Sequence, residues 1–330
     1  MSLLQYAIGA NYKRHFQKLR EIAREEKKCY LLLAADTVWC VLRYGFAMTD
    51  YRNYKIYNCS AKQRKEYVSA GDEDKLYSIV SPAKYKKRYT IKPDFLRDFA
   101  AYTKRACIVP GQDSFADFCA FLDKNPVFMS KPYDGLGGAD VEKMRAEDIK
   151  DRKAYYDYAA ENRIFFEELV KQHPQMNELC STSVNTMRMM TLNDNGTPRL
   201  LWAGLRVGNG INAVDNFHAE GMAVKIDLET GKLVGKAINK ENEIFEAHPT
   251  TGVVFHGFQI PCFAEAKELV LKAALESDKI KMVGWDVAIS ENGPLIIEGN
   301  RRPGFDLVQV LDGRGRMDIV LQAMNSVKGS

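Results

Sequence analysis

No stretch of the chain approaches the ~18 uninterrupted apolar residues of a membrane-spanning helix. Lys13 and Arg14 precede apolar residues, but His15, Gln17, Lys18 and Arg20 break up any signal-peptide core. The expectation is therefore a cytoplasmic protein that is not transmembrane. Seven cysteines form no C-x-x-C pair and leave one over, which fits a reducing compartment. The five histidines show no H-E-x-x-H or finger spacing, so each reads as a surface or hydrogen-bonded residue. Charge is nearly balanced, 47 Lys and Arg against 43 Asp and Glu, so a nucleic-acid partner is not expected.

Several phosphate and nucleophile signatures are missing as well. There is no G-x-x-x-x-G-K-[ST] and no G-x-S-x-G, which excludes a P-loop and a hydrolase elbow. Gly208-Asn209-Gly210-Ile211-Asn212-Ala213 fits G-x-G-x-x-A, but Val214-Asp215-Asn216 opens no helix, so a pyrophosphate would find no helix N-terminus. Neither an internal repeat nor a low-complexity linker is present.

What the 330 residues do hold, at 46% apolar, is core material for two or three lobes. The most informative stretch, Met282–Leu307, reads as two strands folded back through Glu291-Asn292-Gly293. Val283, Trp285 and Val287 alternate with Gly284, Asp286 and Ala288, and Leu295 and Ile297 alternate with Ile296, Glu298 and Asn300. If Ser290 and Pro294 close a three-residue loop, facing residues have numbers summing to 584, and Asp286 lies opposite Glu298. Paired carboxylates with Cβ atoms ~5 Å apart destabilise a sheet unless something sits between them. A divalent cation is the simplest remedy. Asp286, Glu298 and Asn300 are hard oxygen ligands of the kind that suits Mg²⁺.

Upstream, Tyr12, Phe16, Leu19 and Ala23 mark an amphipathic helix, and a second is expected from a cap at Asp36 with Trp39, Leu42 and Phe46 on one side. Residues 51–92 read as irregular. They include Lys84-Tyr85-Lys86-Lys87-Arg88, a solvated face or a dock for a polyanionic or membrane-bound partner. From Phe95 the pattern becomes regular: a helix to about Lys104, a strand 106–109, a helix capped near Asp113 or Ser114, and a strand 127–131. That strand ends on Lys131 before Asp134-Gly135-Leu136-Gly137-Gly138, a loop whose amides can approach a phosphate chain. A short strand 164–166 leads into Glu167-Glu168-Leu169-Val170. Hairpins follow at 186–207 and 223–237, the first carrying Arg188 and Arg206 on its two arms, and a helix at 263–277 feeds the last hairpin. This order argues for α+β lobes and against a doubly wound parallel sheet.

The D…E-x-N arrangement on a closing hairpin, followed by Arg301-Arg302-Pro303-Gly304, resembles the metal-binding end of the ATP-grasp superfamily. The Lys131 loop and the segment Glu167–Val170 stand in the same order. Ser183-Val184-Asn185-Thr186-Met187-Arg188, Val214-Asp215-Asn216 and Gly304-Phe305-Asp306-Leu307 resemble the sugar-transfer-associated branch. The resemblance implies an ATP-grasp fold, two α+β lobes with largely antiparallel sheets around ATP, preceded by a mainly helical region. It implies boundaries at 1–95, 96–180 and 181–330. Lys131, Gly135, Gly137 and Gly138 would hold the phosphates, Glu167, Glu168, Leu169 and Val170 the adenine, and Glu178 the ribose. Asn216 would join the nucleotide site, although the family's two glycines after the Asp-Asn pair are here Ala219-Glu220-Gly221. Asp286, Glu298 and Asn300 would hold Mg²⁺, and Arg188, Arg206 and Arg301 would serve the chemistry.

The implied reaction is an ADP-forming ligation: a carboxylate attacks the γ-phosphate, and an amine captures the acyl phosphate. The partners implied are a small carboxylate and an amine, or a carrier-linked or polyanionic glycan, in polysaccharide or envelope-conjugate synthesis. The alternatives are a kinase on the same scaffold and a non-catalytic nucleotide-binding module.

Overall fold

The computed structural model describes residues 12–134, 141–210, 221–277 and 279–328. Its backbone divides into two units, Met1–Pro82 with Gly304–Ser330, and Ala83–Pro303. The architecture is mixed α+β, helical up to the first strand and built on antiparallel sheets thereafter. No helix among the described residues is long and apolar enough to cross a membrane.

In the first unit, the helix Tyr12–Glu25 buries Leu19 of the expected stripe together with Ile22, which lay outside it, and leaves Phe16 and Ala23 partly buried. The next helix, Tyr30–Tyr44, departs from expectation. It starts upstream of Asp36, which lies within it and is held by Arg64 through Nη1–Oδ1 at 2.6 Å and Nη2–Oδ2 at 2.8 Å. Its buried face is Leu33, Thr37 and Cys40, whereas Trp39 and Leu42 are 56% and 77% exposed. Tyr30-Leu-Leu-Leu-Ala-Ala and Val38-Trp-Cys-Val-Leu are apolar almost throughout, so the sequence has too little contrast to show which side turns inward. The region expected to be irregular holds several short helices. Ser60 with Gln63, and Ser69 with Asp72, form capping boxes, and Ala70–Val80 buries Leu76, Tyr77 and Val80. Gln309, on the helix Asp306–Asp312, closes this unit by accepting from the Val68 amide and donating to its carbonyl.

The second unit holds two sheets. In the smaller, β1 (Cys107–Ile108), β2 (Val127–Pro132), β3 (Glu142–Arg145) and β4 (Ile164–Glu168) lie in the order β1-β4-β2-β3, each pair antiparallel. The helix Phe115–Lys124, capped by Ser114 as expected, joins Arg152–Glu161 in covering Phe128 and Phe166. β4 runs to Glu168, so Glu167 and Glu168 are strand residues and not the start of a loop. The helix expected up to Lys104 breaks at Phe99 into Lys92–Asp98 and Ala100–Thr103.

The larger sheet contains β5 (Thr186–Asp194), β6 (Thr197–Val207), β7 (Met222–Ile226), β8 (Leu233–Asn239), β9 (Ile244–Phe245), β10 (Met282–Ser290) and β11 (Gly293–Asn300). Their order is β11-β10-β5-β6-β7-β8-β9, all antiparallel. The helix Phe263–Leu275 turns Ala266, Val270, Ala273 and Ala274 into the core of this sheet, the face its spacing predicts. The chain leaving β4 runs beside the tip of the β10–β11 hairpin: Glu291 donates to Lys171 O at 3.0 Å and His173 to Ile289 O at 2.9 Å.

Candidate active site

The site is centred on Asp286 in the middle of β10, on every side of which the sheet supplies a charged neighbour. Register places Arg188 of β5 beside it and Glu298 of β11 on the other flank, and Arg206 reaches it from β6. Arg188 Nε donates to Asp286 Oδ1 at 2.5 Å and Nη2 to Oδ2 at 3.3 Å, while Arg206 Nη2 donates to Oδ2 at 2.8 Å. Burial pushes the Asp286 carboxyl upward, but the guanidiniums of Arg188 and Arg206 outweigh it and hold the group at about 2. Glu298 moves the other way: burial, then the charge on Asp286, raises it. The like-charge contact read from the sequence is therefore real, and in the protein alone two arginines offset it.

Packing fixes the arginine geometry. Arg188 Nη1 donates to Pro303 O at 3.1 Å, and Arg206 donates through Nε and Nη2 to Thr186 Oγ1 at 3.1 and 2.7 Å. A Cβ at Gly284 would lie 2.6 Å from Pro303 Cβ and 3.3 Å from Arg188 Cδ, so only glycine lets that chain and that guanidinium close over β10. Asn300 Nδ2 donates to Glu298 Oε1 at 3.3 Å, which brings the third expected metal ligand next to the second. Arg301 is half-buried, and burial, then Arg302, lowers its pKa.

The smaller sheet brings a second charged group. Lys131 on β2 is hydrogen-bonded to Glu167 on β4, and Arg105 Nη2 donates to the other oxygen of Glu167 at 3.2 Å. Burial opposes ionisation of Glu167, yet Arg105 and then Lys131 hold its carboxyl at about 2. Glu168 is exposed and accepts from the Ala106 amide at 3.3 Å, Leu169 and Val170 follow the strand half-buried, and Glu178 is exposed on the helix Pro174–Leu179. Gly135, Gly137, Gly138 and Asn216 lie outside the described residues.

Two residues here had no signal in the sequence. Arg105 follows Lys104 in an ordinary basic pair, and nothing local marks it as buried. Lys92 opens the helix Lys92–Asp98, where burial depresses its ammonium while Glu298, Asp134 and Glu167 oppose that and Lys131 adds to it. Its charge therefore acts on both Glu298 and the Lys131–Glu167 pair.

A family model described as sugar-transfer associated ATP-grasp matches residues 106–325. The chain belongs to the sugar-transfer associated ATP-grasp family. No curated protein matches it by sequence. Among solved structures, this ATP-grasp chain is similar to the ATP-grasp ligase PsnB complexed with minimal precursor, Mg and ADP, at 16% identity over 76% of this chain and 62% of that one, with a TM-score of 0.43. D-cycloserine synthetase DcsG matches at 16% identity over 75% of this chain and 73% of its own, TM-score 0.45. D-alanine-D-alanine ligase from Helicobacter pylori matches at 11% over 79% and 70%, TM-score 0.44. The ATP-grasp chain spans only 62% of the PsnB ligase's length.

In this ATP-grasp chain the three oxygen donors fit a hard cation. Asp286 accepts three arginine hydrogen bonds and a further one from Glu298, which is buried against it and also accepts from the Asn300 amide. A cation on Glu298 and Asn300, shared with Asp286, would remove the repulsion that raises Glu298.

Proposed function

We propose that this chain is an ATP-dependent, ADP-forming ligase that joins a carboxylate to an amine through an acyl phosphate. The observation that supports this most directly is the convergence of Arg188 and Arg206 on Asp286 directly opposite Glu298. In this cluster two fixed guanidiniums can absorb the negative charge that moves when a carboxylate takes a phosphoryl group, while the two carboxylates offer anionic ligands to a cation.

In this reading Asp286, Glu298 and Asn300 hold Mg²⁺, which when bound draws charge from the phosphate oxygens. Lys131, with Gly135, Gly137 and Gly138, binds the phosphate chain, and Glu167 to Val170 present backbone groups to adenine, with Glu178 at the ribose and Asn216 nearby. Arg188, Arg206 and Arg301 orient the carboxylate and steady the acyl phosphate until the amine arrives. We assign the nucleotide half to residues 96–180 and the metal and acceptor half to 181–330, with Lys92, ahead of both, adding its charge to the site. The family's description as sugar-transfer associated supports reading the substrates as a sugar acid joined to an amino acid or amine, in polysaccharide or envelope-conjugate synthesis in the cytoplasm.

ADP release, screened over a matrix of carboxylates and amines with mass spectrometry of the product, tests the reading. A ligase releases ADP only when both acceptors are present and yields an amide. Release with a single hydroxyl acceptor, and a phosphorylated product, would make it a kinase.

A further inference from the structure

Glu167 has two cationic partners, and they are not equivalent. Its side chain is 5% exposed, with Lys131 on one oxygen and Arg105 on the other. The Arg105 side chain is 2% exposed and held at a second place: Nη1 donates to Ile296 O at 3.1 Å and Nη2 to Ile297 O at 3.3 Å. Those are successive carbonyls on β11, and Arg105 Nε is buried with no hydrogen-bond partner among the described residues. A planar fork fixed at both ends cannot follow a ligand. Lys131, 15% exposed at the end of a flexible stem, can.

A buried carboxylate that loses its last counter-ion is strongly disfavoured. If Lys131 were the sole partner of Glu167, each contact between Lys131 and an anion would be made at the cost of an unpaired buried charge. We infer that Arg105 is a positioning residue, the standing counter-ion of Glu167 that lets Lys131 turn to the phosphate chain of a nucleotide. This rests on the ATP-ligase reading above. It also gives the bulged segment of β11 a task beyond placing Glu298: its carbonyls anchor the guanidinium that neutralises Glu167 on the neighbouring sheet.

Calorimetric affinities for ATP and AMP, measured with Mg²⁺ on the full chain, test this in wild type, Arg105→Gln and the double variant Arg105→Gln/Glu167→Gln. Arg105→Gln should lose roughly tenfold or more in ATP affinity with a much smaller loss for AMP. The double variant should regain most of the ATP affinity, because a neutral amide needs no counter-ion. A merely structural Arg105 would weaken both nucleotides together and would not be rescued by removing a second polar partner, and either result overturns the proposal. Should Arg105→Gln fail to fold, Arg105→Lys keeps the charge. It should retain a clear preference for ATP over AMP, and loss of that preference in a folded Arg105→Lys protein would overturn the proposal equally. A wild type that binds ATP no better than AMP would sink the ligase reading itself, and the role of Arg105 with it.

Discussion

Asp286 faces Glu298 because a turn one residue shorter than the expected three-residue loop is offset by a one-residue bulge in β11. The turn between β10 and β11 holds two residues, Glu291 and Asn292, so Ser290 pairs with Gly293 and facing numbers sum to 583 near the tip. Between the pairs Val287–Ile296 and Asp286–Glu298, β11 has an extra residue, Ile297, and the sum becomes 584 from there on. A three-residue loop predicts the same pairing at the site but the wrong pairing at the tip. The bulge also separates Ile296, which packs in the core, from Glu298, which joins the charged cluster.

Glu298→Gln should abolish Mg²⁺-dependent ATP binding while raising the stability of the ligand-free protein. The amide keeps the shape of the side chain and removes a like charge buried against Asp286. Calorimetry with and without Mg²⁺, alongside urea unfolding, checks both halves. Unchanged Mg·ATP affinity would remove Glu298 from the metal set.

Arg188→Lys should leave Mg·ATP affinity nearly intact and lower turnover by on the order of 10²–10³, the usual weight of a donor that acts on developing charge. Lysine keeps one contact to Asp286 but loses the fork that also holds Pro303 O. Single-turnover ADP formation measured beside equilibrium ATP binding separates the two. If affinity collapses together with turnover, Arg188 belongs to the nucleotide site.

Gly284→Ala places a methyl where Pro303 Cβ already lies 2.6 Å away. The chain at Pro303 must shift and Arg188 loses its second anchor, so the variant should be destabilised by about 1–3 kcal/mol, as for other overpacked sites. Urea unfolding measures it; a wild-type midpoint would mean that Pro303 yields without resistance.

Asp50 gives the helical unit a pH dependence of its own. Burial lifts its carboxyl to about 7 against a hydrogen bond from the Ala47 amide, and Asp306 adds to the rise. The folded pKa lies above the unfolded value of about 4, so the stabilising contribution is complete below about pH 4 and lost as pH rises through 7. Wild type should therefore lose stability between about pH 4 and 7 relative to Asp50→Asn. Parallel stability profiles for the two proteins would refute the assignment.

The alternating strands, the helix cap at Ser114 and the apolar side of the helix Phe263–Leu275 could be read from the sequence, because each follows from a local period or a local turn; the pairing of Asp286 with Glu298 was reached from a three-residue loop, and the structure reaches it through a two-residue turn and a bulge. That Asp286, Glu298 and Asn300 come together on one hairpin was legible as well, since its two strands are joined by a short loop. Other features were decided only by tertiary structure. The inward side of Tyr30–Tyr44 was hidden, because a helix apolar nearly all round takes its orientation from its neighbours and from the Arg64–Asp36 pair. The joint hold of Arg188 and Arg206 on Asp286 requires three strands side by side. Arg105 joins Glu167 to carbonyls 191 and 192 residues along the chain, a separation no sequence period spans. Local periodicity fixes which residues share a face; which charges neutralise one another is settled only when distant segments are buried together, where an unpaired charge costs most.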